Sequence, residues 1–154
     1  MRPRRIYLPL TIDQLRALAA DKVLPAPIAG FAPGASDTRL GASAGAVEEA
    51  EFRAFSAAVE SADQPDSPLV RLIIASADAP AGAWREVGDE AGGPVAIVTT
   101  EDLPLRLIVA FHIDGDTDAD GAGGADGDAA DRITAADLLW YDVTELDVVI
   151  DELG

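Results

Sequence analysis

The chain of 154 residues contains no cysteine. That excludes disulfides, thiol nucleophiles and Cys-ligated zinc, and it removes any reliance on an oxidising compartment. A single histidine excludes a multi-histidine metal site within one chain. Aromatic residues make up only 5%, so the core must lean on Leu, Val, Ile and Ala within an apolar fraction of 49%. Lysine is nearly absent: Lys22 stands beside ten arginines, as a GC-rich coding bias or a salt-adapted proteome would give. No apolar run approaches the ~20 residues of a membrane span. The basic start "MRPRRIYLPLTIDQ" is signal-like only at first, because its apolar run is short and is broken by Pro9 and Asp13. It reads as a first strand, so a soluble cytoplasmic protein is expected. The length suits one domain with a real core and is too short for two comfortable ones.

Acidic charge is abundant. The formal net charge is -17, and it is unevenly spread. Residues 1–39 carry a net of +3, residues 40–110 a net of -8 and residues 111–154 a net of -12. Such a chain repels phosphate backbones, which disfavours direct nucleic-acid binding. It suits a basic protein partner, or mimicry of nucleic acid in front of one. Solubility through self-repulsion explains the same charge without a partner.

Hydrophobic periodicity gives the order β-α-α-β-β-β-β-α. "RRIYLPL" is a β run with Ile6, Leu8 and Leu10 on one face. Thr11 opens a helix, with Gln14 completing a capping box and Leu10 placed against Leu15 as a staple. Pro25 and Pro27 end that helix by Leu24. Residues 28–45 read as irregular chain. A second helix is expected over 46–62, with Phe52, Phe55, Val59 and Ala62 as its buried stripe. "LVRLIIASAD" is apolar on both faces and should be an interior strand. The Trp84 segment "APAGAWREVGDEAGGP" reads as a loop, followed by strands at "VAIVTT" and "LRLIVAFHID". Alternation along the last puts Leu107, Val109, Phe111 and Ile113 on one side, and Arg106, Ile108, Ala110 and His112 on the other. "DLLWYDV" is a last strand. Thr144 should cap the final helix with Asp147 at the box position, Val143 stapled to Val148, and a stripe of Leu146, Val149, Ile150 and Leu153. The expected fold is a single α+β domain over residues 1–154, with a mixed or mostly antiparallel sheet of about four to five strands packed by about three helices.

Few constellations carry chemistry. Residues 114–131, "DGDTDADGAGGADGDAAD", hold seven aspartates and five glycines. Asp116, Asp118, Asp120 and Gly121 match the first half of a calcium loop, but Gly123 and Gly127 occupy the positions that need an apolar residue and a bidentate Glu. A flexible, solvating loop is the plainer expectation. His112 is the one side chain with an ordinary pKa near neutrality, and Asp114 shares its face as a hydrogen-bond candidate. A structural histidine near a strand end is the much stronger expectation, and no G-x-S-x-G elbow accompanies it. "GDEAGG" has no Lys and no strand-to-helix setting for a phosphate loop. The helix starts at Thr11 and Thr144 could hold a small anion between them, with Arg4, Arg5 or Arg106 nearby. The carboxylate pairs Asp89–Glu90 and Glu101–Asp102 are of a kind too common to signal acid–base work.

The segments "RRIYLPLTIDQLRAL", "APIAGFAP", "EEAEFRAFSAA", "RLIIASADAP", "LIVAFHID" and "DLLWYDVTEL", in this order, resemble an uncharacterised family of small acidic actinobacterial proteins, a domain of unknown function. The most specific pieces are the N-terminal strand–Pro–Thr–helix and the "WY" before the last helix. The resemblance implies a stand-alone cytoplasmic domain and brings no site residues with it. The aspartate–glycine segment lies outside the shared pattern. No catalytic, cofactor-binding or metal-ligating residue is assigned. The leading expectation is a non-enzymatic accessory or protein-interaction domain with an acidic surface and a basic protein partner. The alternatives are an anion-binding domain or undetected enzyme, and weak calcium binding through the loop.

Overall fold

The computed structural model describes residues 4–34, 43–62, 72–87, 94–114 and 138–153. Among them lie three α-helices and nine strands. Seven strands form one antiparallel sheet in the order β5-β6-β3-β1-β4-β8-β9. These are β1 (Arg4–Pro9), β3 (Ala29–Ala32), β4 (Ile73–Ala79), β5 (Trp84–Glu86), β6 (Val95–Thr99), β8 (Ile108–Asp114) and β9 (Leu138–Asp142). The short strands β2 (Val23–Leu24) and β7 (Leu103–Pro104) pair with each other. The α+β class is as expected, but the sheet is larger than the expected four to five strands and every pairing in it is antiparallel.

The extra strands come from segments read as loop. β3 is the four-residue "AGFA" and β5 the three-residue "WRE", each too short to show a period of two. Their conformation is set by neighbours: β3 is held between β1 and β6, and β5 by β6. Gly30 fits β3 tightly against β1, because a Cβ there would lie 2.4 Å from the Tyr7 carbonyl oxygen and 2.6 Å from the Leu8 side chain.

Helix α1 (Ile12–Asp21) begins as expected. Gln14 N donates to Thr11 Oγ1 at 3.1 Å, and Thr11 N donates to Gln14 Oε1 at 2.8 Å. Leu10, Leu15 and Leu18 are fully buried, so the entry angle of the helix is fixed by packing. It ends at Lys22, which turns into the left-handed region at φ 60° and donates its backbone N–H to Leu18 O. Helix α3 (Leu146–Leu153) packs on α1, and Leu146 and Val149 enter the same core. Its start corrects the expected cap. Asp142, not Thr144, caps a 3₁₀ turn over Val143–Glu145 with Glu145 completing the box, and α3 continues from it. Thr144 donates to Asp142 Oδ2 from both its backbone N and its hydroxyl. Val148, the expected staple partner of Val143, is 47% exposed.

The sheet thereby separates two cores. Ile6, Leu8, Ile73, Ala75, Phe111 and Ile113 belong with α1 and α3. Tyr7 and Ile74 belong with helix α2 (Ala44–Ala62) on the opposite face. The buried stripe of α2 is Ala50, Ala54, Ala58 and Ala62, with Val59. An i, i+4 row of alanines lets the helix lie close to β1 and β3. Phe52, expected inside, is 57% exposed. The interior strand β4 is covered on both faces, as its sequence indicated.

One irregularity re-aims β8. Ser76 pairs with Ala110 while Ala77 pairs with Ile108, so Val109 is the extra residue of a β-bulge. Strict alternation therefore fails: Ile108 joins Phe111 and Ile113 in the main core, and Val109 turns to the α2 side with Ala110 and His112. No helix among the described residues is long and apolar enough to cross a membrane. The tight seat of Gly30 makes a direct prediction. Gly30→Ala should lose about 1–3 kcal/mol in urea unfolding, whereas Gly45→Ala, where a Cβ meets nothing within 4 Å, should lose none.

Candidate functional site

Four strands and one helix converge on a groove of about 250 Å³ on the α2 side of the sheet. Its lining includes Arg5 and Tyr7 from β1, Ser76 from β4, His112 from β8 and Trp140 from β9. Helix α2 supplies Glu48, Glu51, Phe52 and Phe55. That spacing of i, i+3, i+4 and i+7 is one helical face, turned here towards the β8–β9 end of the sheet. The bulge at Val109 is what delivers the β8 side of the groove.

Charge within the groove is arranged by cross-strand pairing. Arg5 stands opposite Asp78 in the β1–β4 register, and its Nε and Nη2 donate to the two carboxylate oxygens at 2.5 and 3.2 Å. This bidentate pair neutralises the one cation of the site. The hydrogen bond to Asp78 holds the Arg5 guanidinium above its ordinary pKa, against the opposing effect of burial. Tyr7 is two pairs further along, opposite Ser76 and on the same face as Arg5. Burial, and then the Glu51 carboxylate, push its phenol well above the ordinary tyrosine range, so it stays a neutral donor.

His112 is placed by contacts that its sequence position did not reveal. Its Nε2 lies 3.2 Å from Ser76 Oγ, a hydrogen bond on the diagonal of the β4–β8 ladder. Its ring lies 4.6 Å from that of Phe55, which in turn lies 5.6 Å from Tyr7. Burial between these rings pulls the His112 pKa down to about 4, with the nearby Arg5 charge adding to the effect. His112 is therefore neutral at physiological pH. Ser76 is 2% exposed, so its hydroxyl anchors the imidazole and presents little surface for reaction. The side chain of Asp114, the expected partner of His112, lies outside the described residues.

The groove opens onto carboxylates and aromatic surface. Glu51 is half-buried, Glu48 and Glu49 are exposed, and Arg53 pairs with Glu49 at 2.8 Å. Phe52 and Trp140 are 57% and 59% exposed, although both are large and apolar. A second groove of about 310 Å³, near Pro9, Gly30, Phe31 and Val87, has no ionisable side chain in its lining.

The other expected sites fall differently. At each helix start a side-chain oxygen already accepts from a backbone amide: Thr11 Oγ1 from Gln14 N at α1, and Asp142 Oδ2 from Thr144 N ahead of α3. Arg4 and Arg5 sit at the far end of β1 from Thr11. Arg4 points to the face away from the groove, donates to the Pro33 carbonyl and lies 5.0 Å over the Trp84 ring. Arg106 is exposed in a 3₁₀ turn. Asp102 accepts from Ala26 N at 2.8 Å, a structural role. Asp89 and Glu90, and the calcium-like positions 116–127, lie outside the described residues. Among the described residues no cluster of three or more His, Asp or Glu could hold a metal ion.

The buried imidazole gives a pH prediction. Its folded pKa of about 4 lies below the ordinary 6.5, so the unfolded chain takes up the proton first. His112 then withdraws stability as pH falls from 6.5 towards about 4, and withdraws no more below that. His112→Gln should flatten this part of the stability–pH profile relative to the parent protein, and NMR should place the His112 midpoint near 4. A midpoint near 6.5 would contradict the buried geometry.

No curated protein and no solved structure matches the chain. Residues 4–150, which carry every element of the groove, match the family of unknown function DUF6912, and the chain belongs to that family.

Proposed function

We propose that the chain is a non-enzymatic interaction domain that receives a basic, partly apolar segment of a protein partner in the groove between α2 and the β8–β9 end of the sheet. The observation that carries this reading is the exposure of Phe52 and Trp140 in a groove that also holds Glu48 and Glu51. Large aromatic side chains supply most of the energy at recognition surfaces, because each covers a large area at little cost in conformational entropy. Carboxylates beside them select the sign of the partner more than they add affinity. Arg5 is cancelled by Asp78 and His112 is neutral, so the charge offered to a partner is that of the glutamates. The overall charge of -17 adds long-range steering of a basic partner.

The same features favour binding over catalysis. The imidazole is tied to Ser76 and packed under Phe55, and the serine is almost wholly buried. The serine hydroxyl therefore offers little surface to a substrate, and the imidazole is held at Nε2. The immobilised chain should retain a basic protein at low salt and release it as salt screens the contact. Trp140→Ala should weaken that retention by roughly thirtyfold, the cost of about 2 kcal/mol expected for a central aromatic. Glu48→Gln with Glu51→Gln should weaken the retention and lessen its salt dependence. Equal retention by all variants, or no basic protein at low salt, would contradict the proposal.

A further inference from the structure

An aromatic row crosses the groove from buried Tyr7 to exposed Trp140. Tyr7 stands 5.6 Å from Phe55, and Phe55 stands 4.6 Å from His112, ring centre to ring centre. His112 pairs directly with Trp140 in the β8–β9 register. Residues so paired hold their Cβ atoms about 5 Å apart. Trp140 ends the row and Phe52 lies one helical turn from Phe55. Among the described residues, Phe52 and Trp140 are the exposed large aromatics, and both line this groove.

The acids in the first half of α2 are used differently. Glu49 is paired with Arg53 at 2.8 Å. Glu48 and Glu51, which line the groove, have no ion pair among the described residues. The Glu51 carboxylate bears on the charge states of both Tyr7 and Arg5, yet Arg5 is already held by both oxygens of Asp78. Negative charge and exposed π surface therefore meet in one groove. That combination selects a cation, because cations are attracted to the face of an aromatic ring, and most strongly to an indole. The shape of the groove narrows the choice. Trp140 and Phe52 are each more than half exposed, so they form an open platform and not a closed box of rings. Methylated ammonium groups are held by enclosure within several rings. A lysine ammonium is compact and strongly hydrated, so it gains less from one aromatic face. A guanidinium is planar and weakly hydrated. It stacks on a single ring and offers a fork of N–H donors to a carboxylate.

We infer that the groove takes an arginine side chain of the protein partner, with its guanidinium stacked on Trp140 and its N–H donors turned to Glu48 and Glu51. The inference rests on the reading of the groove as a site for a basic, partly apolar segment, and it names the residue that such a segment must carry. Phe52 supplies apolar surface for the stem of that arginine and for its apolar neighbours. Charge decides against a second copy of this chain as the source, since it would bring a net charge of -17 to the same groove.

The experiment is calorimetry at low salt on the full chain. The probes are short capped peptides with leucine on either side of a central arginine, lysine, trimethyl-lysine or citrulline. Citrulline keeps the shape of arginine without its charge. The arginine peptide should bind roughly tenfold or more tightly than the lysine peptide, and the citrulline peptide more weakly than either. By NMR the arginine peptide should shift the Trp140 indole N–H resonance and leave that of buried Trp84 in place. Trp140→Leu keeps an apolar side chain without an aromatic face. It should bring the arginine and lysine peptides within roughly twofold of each other. Trp140→Phe, with a weaker aromatic face, should keep part of the preference. Equal binding of arginine and lysine, or tighter binding of trimethyl-lysine, overturns the inference and leaves the acidic groove standing. So does a preference for arginine that is unchanged in Trp140→Leu. Equal binding of citrulline and arginine, or no binding of any of the peptides, overturns the groove reading as well.

Discussion

The structure depends on burying both faces of β1 and β4 at once. Ile6 and Leu8 look into one core and Tyr7 into the other, and Ile73 and Ile74 do the same one strand along. A sheet with only one covered face could leave its second face polar. Here the second face must be covered, and α2 covers it through its alanine row. Alanines bring the helix close but leave little volume to bury. The remaining space is filled by Phe55, and the polar groups beneath it must find partners within the sheet. Arg5 with Asp78 and Ser76 with His112 are those partners. Removing Ser76 Oγ or the His112 imidazole leaves an unpaired polar group in a confined place, which typically costs about 1–3 kcal/mol, whereas the part-exposed Arg5–Asp78 pair is screened by solvent and is worth less. The polar floor of the groove is thus a requirement of the two-sided sheet as much as a recognition device.

Most of the strong periodic elements were legible in the sequence. β1, the Thr11 capping box, the interior character of β4 and the packing of Leu146, Val149 and Ile150 of α3 against the core follow from spacing alone, while the side chain of Leu153 lies outside the described residues. The missed strands are those of two to four residues, where hydrogen bonding to neighbours decides conformation and no period can register. Phe52 was misplaced because helical spacing finds a stripe without knowing which stripe meets the sheet. The alanine row won, since it permits closer approach. The facing of Ile108 failed because a single bulged residue reverses alternation, and nothing in "LRLIVAFHID" marks it. Thr144 lost the cap to Asp142, whose carboxylate accepts from Thr144 N.

The candidate site was legible only in parts. His112 stood out as the single histidine, and Arg5 was expected beside the helix starts, but the groove that joins the two was not apparent, because Ser76, Phe55 and Trp140 are distant in sequence. Two signals were available. Glu48, Glu51, Phe52 and Phe55 fall on one helical face, and that face mixes acids with aromatics where a core face would not. The "WY" of β9 places one aromatic on each side of a terminal strand, so one of them must face away from the α1–α3 core. Tyr141 packs against that core and Trp140 does not.

The account centres on one claim, that binding occurs where Phe52 and Trp140 flank the acidic groove. A photo-crosslinking amino acid placed at position 140, and in a second preparation at position 87, tests it most directly. Val87 is similarly apolar and 51% exposed, but lies beside the opposite edge strand. On irradiation at low salt, position 140 should give a discrete adduct with a basic protein that diminishes at high salt, and position 87 should give none. The same adduct from both positions, or an adduct from position 87 alone, would contradict the account.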